Sequence, residues 1–453
     1  MSITRLEKML AVWAVLAAAF LVVSASAESK ARIVRLSEVQ GTVQIDRATG
    51  DGFDKAFINL PVIEGSRLKT GKDGRAEVEF EDGSALRLAP ESEVDFPRLA
   101  LGDDGQKLST VQLVSGTVYA NLRQKKSGNK TGDQFLLNFA GESVTGAEAA
   151  HFRVELDGDS KATVAVFKGK LSATSPSGQI EVAEKHSATI NLANNDPAGK
   201  DTFLIAKNYE TKPSDAWDRQ QTDYHDHYAS AGGSGVSSPY GYGMSDLNYY
   251  GSFMNVAGYG NVWQPYFIDA GWSPFQDGGW AFYPGAGYMW VSGYPWGWMP
   301  YNYGNWAFVP GFGWVWQPGY YNPWYGIPQV VNPPVRTKVP TPPVRGHQTV
   351  MVGLGLAANP ATGGLSRLTI NPGSAGFGVP RGSVRHLDRI AKTMDRTSRP
   401  VVVATAPPVS TTAPTTGFGT SSTSTSTRGG SSTGIGPRGA PHRSSAPPPS
   451  RPH

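Results

Sequence analysis

The chain has no cysteine in 453 residues. That excludes disulfides, thiolate-held zinc, iron–sulfur clusters and a lipid-modified N-terminal cysteine. Exported eukaryotic proteins of this size usually carry disulfides. Their absence beside an export signal points to a bacterial envelope protein whose stability rests on core burial. Cations are missing locally as well: residues 220–335 contain no Lys or Arg and only five acids. Single-stranded nucleic acid stacks on aromatic rings but needs nearby cations, so no nucleic-acid partner is expected. After Val23, Gly, Pro or a charge interrupts every apolar run, and none reaches the roughly 20 residues of a spanning helix. Catalytic patterns are missing too. No phosphate-binding glycine loop is followed by Lys-Ser or Lys-Thr. The glycine–serine patterns at Gly232–Gly235 and Gly373–Gly376 do not sit between a strand and a helix. Glu64, Glu91 and Glu93 read as solvated charges, not as a glycosidase pair. The chain is expected to be no enzyme and to use no cofactor and no metal.

What is present begins with an address. Arg5 and Lys8 precede fifteen uncharged apolar residues, Met9 to Val23, and then Ala25-Ser26-Ala27. A basic stretch, a short apolar run and small residues at a cleavage site make a signal peptide. Residues 1–27 are therefore expected to be removed, leaving an exported protein, periplasmic, surface-bound or secreted, with no stable membrane span. Nothing in the sequence sets the oligomeric state.

Charge is segregated along the chain. Residues 28–219 hold 25 basic and 29 acidic side chains, a net of −4, whereas residues 336–453 hold 14 and two, a net of +12. Composition divides the exported part into five stretches. Residues 30–210 have ordinary globular composition, and residues 211–245 read as a linker. Residues 246–330 are rich in Trp, Tyr and Gly. Residues 331–403 read as partly ordered, with one short basic helix near 382–398. Residues 404–453, dominated by Pro, Ser, Thr and sparse Arg, have too few apolar side chains to offset ordering entropy and read as disordered.

Within 30–210 the hydropathy alternates with period two. Val39, Gly41, Val43 and Ile45 share one face. Ala76, Val78 and Phe80 face one way, while Glu77, Glu79 and Glu81 face the other, and Leu86 and Leu88 flank an outward Arg87. Asp82-Gly83 and Asp157-Gly158 supply hairpin turns. Half-buried strands and an all-β fold follow.

On these residues the stretch Leu60–Leu122 resembles the FecR domain family. The resemblance is carried by Gly65, Leu68, Lys69-Thr70-Gly71, Ala76-x-Val78-x-Phe80-x-Asp82-Gly83-Ser84, Leu86-x-Leu88-x-Pro90-x-Ser92 and Val111-x-Leu113-x-x-Gly116-x-Val118. Val164-x-Val166-x-x-Gly169-x-Leu171 repeats the closing pattern more loosely. Where the family commonly has Gly-Thr before an aromatic, this chain has Ala149-Ala150-His151-Phe152. The resemblance implies an extracytoplasmic β-domain of solenoid or rolled-sandwich character. In well-known members it senses an outer-membrane transporter and is joined to a segment that controls a sigma factor.

Ten of the twelve tryptophans fall between Trp263 and Trp324, most of them eight to ten residues apart. That interval is one short strand plus a turn, so a second, small β-meander domain is expected over 246–330. The stretch also resembles a Trp/Tyr-rich domain of unassigned function found after FecR-like domains in bacterial exported proteins. Two readings of the rings stand side by side. In one, indoles stack as the core of a domain short of Ile and Leu. In the other, Trp263, Trp272, Trp280, Trp290, Trp298, Trp306, Trp314 and Trp316 present a platform for sugar rings or Pro-rich chains. Asp223-Tyr224-His225-Asp226-His227 has metal-ligand residue types but no second ligand cluster, and reads as a solvated linker. The functional expectation is an exported, non-catalytic binding or scaffolding protein of the cell envelope that contacts an envelope protein or a polysaccharide. The alternative is a FecR-like signalling accessory that lacks its own sigma-regulating segment.

Overall fold

The structure, a computed structural model, describes residues 32–102, 105–123, 133–146, 149–158, 160–192, 203–229, 242–321, 326–335, 337–353 and 367–405. The expected signal peptide and almost all of the expected disordered tail lie outside these residues, as does Trp324.

The fold is all-β, as the alternation predicts, with two nine-stranded sheets packed face to face. Sheet I holds, side by side, Pro61–Val62, Val34–Gln40, Arg75–Glu79, Ala85–Leu88, Thr117–Leu122, Ala150–Asp157, Lys161–Lys168, Ser187–Asn191 and Leu204–Ala206. Sheet II holds Asp54–Lys55, Val43–Asp46, Arg67–Thr70, Glu93–Leu101, Lys107–Ser115, Gln134–Phe139, Glu142–Thr145, Lys170–Ser175 and Gly178–Ala183. The chain passes to the other sheet after every one or two strands, giving a rolled sandwich. Gln134–Phe139 runs parallel to Lys107–Ser115, and the neighbouring strands on either side pair antiparallel. Val78, Leu86, Leu88, Val111, Leu113, Val118, Phe152, Val154 and Val164 fill the space between the sheets.

Two motif glycines are fixed by backbone crowding. Gly116 has φ +80°, and a Cβ there would lie 2.5 Å from the Glu91 carbonyl oxygen. Gly169, at φ +78°, would meet the Ala149 carbonyl at the same 2.5 Å. Only glycine accepts both the left-handed backbone and the close approach. The two halves of the sandwich thus turn on equivalent residues.

The outer face of sheet I departs from expectation. Glu77, Glu79, Glu81 and Arg87 do oppose the core residues, but all four are buried. Alternation separates two faces of a strand; it does not say that one of them is wet. This face is covered by helices α1 (Asp215–Ala229) and α2 (Met244–Tyr250), and by a loop that carries Arg381. Helix α1 falls where a solvated linker is expected over 211–245. Its buried face is Asp215, Trp217, Asp218, Gln221, Tyr224 and His225. That face contains no aliphatic side chain, so hydropathy does not mark it as a packing face.

The aromatic region forms three hairpins. Gly251–Val256 with Gly260–Pro265, and Tyr303–Val309 with Gly313–Tyr321, join in a five-stranded sheet that also takes Gln329–Val331. Gly278–Tyr283 with Gly287–Ser292 forms a three-stranded sheet with Val350–Val352. A single turn, α3 (Met299–Asn302), leads into the third hairpin. Residues 367–404 make a further unit. Strands Arg367–Ile370 and Val401–Ala404 pair with each other, and α4 (Leu387–Thr397) lies between them with Leu387, Ala391 and Met394 buried. One apolar core runs from Ile33 in the sandwich through the tryptophans to Met394.

Candidate functional site

The site with the densest chemistry lies where the covered face of sheet I meets the rest of the chain. Strand register sets Arg35 beside Glu79, Glu77 beside Arg87, Arg87 beside Tyr119, and Tyr119 beside Arg153. Period two puts these side chains on one face, with acid opposite base where the strands meet.

Helix α1 lays two carboxylates over this row. Asp215 Oδ1 accepts from the Tyr119 hydroxyl at 2.8 Å and from Arg153. Asp218 Oδ1 accepts from Arg87 Nη1 at 2.6 Å, and its Oδ2 lies 2.6 Å from His151 Nε2. About two turns on, Tyr224 donates to Asp246 Oδ1 at 2.8 Å, and His225 Nε2 lies 2.9 Å from Glu77 Oε1. Asp246, on α2, also pairs with Arg35 Nη1 at 2.6 Å. Arg35 in turn donates to the Pro295 carbonyl at 2.8 Å, which ties the aromatic region to the sandwich.

Arg381 closes the cluster from more than 300 residues away in sequence. Its Nη1 donates to Glu77 Oε1 at 2.7 Å, its Nε to Asp246 Oδ1 at 3.1 Å, and its Nη2 to the Ser37 carbonyl at 2.8 Å. One guanidinium therefore bridges a sheet I strand and α2.

Burial favours the neutral form of every carboxyl here, and partners decide which of them resist it. At Glu77 burial is outweighed by His225, Arg381 and Arg87, which hold its pKa well below the ordinary value. Asp246 is lowered against burial by Arg381 and Arg35, and Asp218 by Arg87 and His151. Burial prevails at Glu38 despite Arg381, and at Glu79 despite His225 and Arg35, so both are raised. Arg381 is raised well above its ordinary value because Asp246, Glu77 and Glu38 outweigh burial. Five carboxyls, of Glu38, Glu77, Glu79, Asp218 and Asp246, thus face the three guanidiniums of Arg35, Arg87 and Arg381. The arrangement is a lock: most of its strong donors and acceptors are directed at one another, while Arg87 Nη2 and Glu38 Oε2 are buried without a hydrogen-bond partner.

The eight tryptophans expected as a platform are core residues instead, none more than 4% exposed. Trp263 pairs across the sheet with Trp316, which pairs with Trp306, and Trp280 pairs with Trp290. Trp272 packs edge-on to Trp306 at 5.8 Å, Trp298 against Tyr242 at 5.4 Å, and Trp314 against Phe308 at 5.6 Å. Glycines seat the rings: a Cβ at Gly251 or Gly278 would lie within 2.4 Å of Trp263 or Trp290. In a region short of aliphatic side chains the indoles supply the core.

The His-x-His stretch is divided by its helix. Tyr224 and His225 enter the ionic cluster, whereas Asp223, Asp226 and His227 face solvent and Asp226 pairs with Arg123. Arg381, Asp246, Asp218 and His151 are cluster members that sequence reasoning does not single out. His151 carried the one available signal, since it stands where the resembled family commonly has Gly-Thr.

Residues 66–172 match the family model described as FecR protein, and residues 244–337 match a family of unknown function, DUF6600. No curated protein matches the chain. Two crystal structures of a candidate anti-sigma factor from Parabacteroides distasonis are similar over part of the chain, at 18% and 16% identity. Each has a TM-score of 0.27; they cover 33% and 35% of this chain, and 63% and 71% of their own. The chain thus spans less than two-thirds of the first of them. It carries a FecR segment at 66–172, followed by a segment of the DUF6600 family of unknown function at 244–337.

Proposed function

We propose that this chain is an exported, non-catalytic binding and scaffolding protein of the bacterial cell envelope, acting by contact with another envelope protein. The observation that supports the reading is the lock itself. Buried ion pairs and packed indoles join the FecR segment, the aromatic region and the Arg381 loop into one block. Such a block suits holding surfaces at fixed positions. With the tryptophans inside, the platform argument for a polysaccharide partner falls away, and a protein partner becomes the better reading. The FecR match at 66–172 favours a second reading, an extracytoplasmic signalling accessory. In-cell photocrosslinking of the full chain, combined with cell fractionation, tests the proposal. The expected result is a discrete adduct with an envelope protein in the extracytoplasmic fraction. A chain confined to the cytosol, or one that forms no adduct but is retained on purified peptidoglycan, contradicts it.

A further inference from the structure

Helix α4 is used on one side only. Leu387, Ala391 and Met394 are buried, while the nearby Val384 carbonyl and amide both bond the Tyr249 hydroxyl. The apolar face is therefore committed to the body of the protein. The opposite face carries Arg389, Lys392 and Arg396, all exposed. Their i, i+3, i+7 spacing lines them up over about 10 Å at 1.5 Å per residue. Arg385 and Arg399, just beyond the two ends of the helix, are exposed as well. Lys392 has an intrahelical partner, Asp388, at 3.8 Å. Among the described residues the other four cations form no ion pair.

Like charges at i, i+3 and i, i+4 weaken a helix, and His386 at the N-cap of α4 makes no side-chain cap bond. It keeps its cationic ridge because docking holds it. Asp388 and Asp395, both on α4, are the only acids in residues 336–453, against 14 basic residues. The ridge therefore sits at the head of the most basic part of the chain. A row of cations fits an extended array of phosphates better than a single ion. Val402, 61% exposed, lies in the strand that follows.

We propose that the exposed face of α4, from Arg385 to Arg399, is a peripheral docking surface for a bilayer bearing anionic phospholipid headgroups. Binding is electrostatic and superficial, since the apolar face of the helix is already buried. Each cation near an anionic leaflet raises affinity roughly fivefold, so three act together by about a hundredfold.

Co-sedimentation of the full chain with vesicles tests this. The chain should bind vesicles rich in phosphatidylglycerol, ignore pure phosphatidylcholine, and come off at high salt. The triple variant Arg389→Ala, Lys392→Ala, Arg396→Ala should keep the unfolding midpoint and lose affinity by about a hundredfold. The double variant Arg389→Lys, Arg396→Lys should bind as the parent does, because a bilayer reads charge more than shape. Equal binding by the triple variant, binding that survives high salt, or a preference for nucleic acid over vesicles would each overturn the proposal.

Discussion

Arg381 joins parts of the chain that lie far apart in sequence, and its removal has a defined consequence. Arg381→Met leaves Glu77 and Asp246, both buried, without their shared guanidinium. Breaking a buried ion pair by removing one partner costs about 3–5 kcal/mol, and denaturant unfolding should show a loss of that size. Glu38 makes the complementary prediction. Burial raises its pKa in the fold, so the folded protein holds a proton that the unfolded chain releases as pH rises above the ordinary carboxylate range. Stability contributed at this position is therefore lost as pH rises through the raised pKa. Glu38→Gln should match the parent at low pH and gain on it as pH increases towards neutral; a constant difference across that range would contradict the assignment. The same residues show how far sequence reaches. Alternation sets Glu77, Glu79 and Arg87 opposite Val78, Leu86 and Leu88, and the structure agrees. Their burial depends on what packs over them, and Arg381 and Asp246 arrive from segments whose contacts no local pattern encodes.

Helix α1 is the element least visible in the sequence. Its packing face is charged and aromatic, whereas the periodic signal of an amphipathic helix comes from apolar residues. Two weaker signals were present: Ser214 ahead of acidic residues in the first turn, and Trp217, Gln221, Tyr224 and Tyr228 at helical spacing. Because α1 supplies Asp215 to Arg153 and Asp218 to Arg87, breaking it should take from Arg153 its closest carboxylate and leave Arg87 with Glu77 alone. Gln221→Pro should destabilise the protein by at least about 3 kcal/mol, since proline removes an interior hydrogen bond and clashes with the preceding turn. Calorimetry checks this, and a helix that merely decorated a finished sandwich would leave the transition near its original midpoint. The tryptophan spacing, in contrast, was legible as strands and turns. Whether the rings face inward was not, because in a strand such as Gly287–Ser292 the aromatic face (Tyr288, Trp290) and the opposite face (Met289, Val291) are both apolar.

Across the whole molecule, the FecR segment and the aromatic region share one apolar core and one ionic cluster. The sequence divides at a change of composition near residue 211, yet the physical contacts run across that division. Two modules joined by a solvated linker would unfold independently. Modules joined through Arg35, Arg381, Glu77 and Asp246 should unfold together. The most direct test is hydrogen exchange of the full chain, read peptide by peptide across a denaturant series. The predicted result is a common midpoint for sandwich strands such as Arg75–Glu79 and Thr117–Leu122 and for aromatic strands such as Gly260–Pro265 and Tyr303–Val309. Separate midpoints for the two sets would contradict the account.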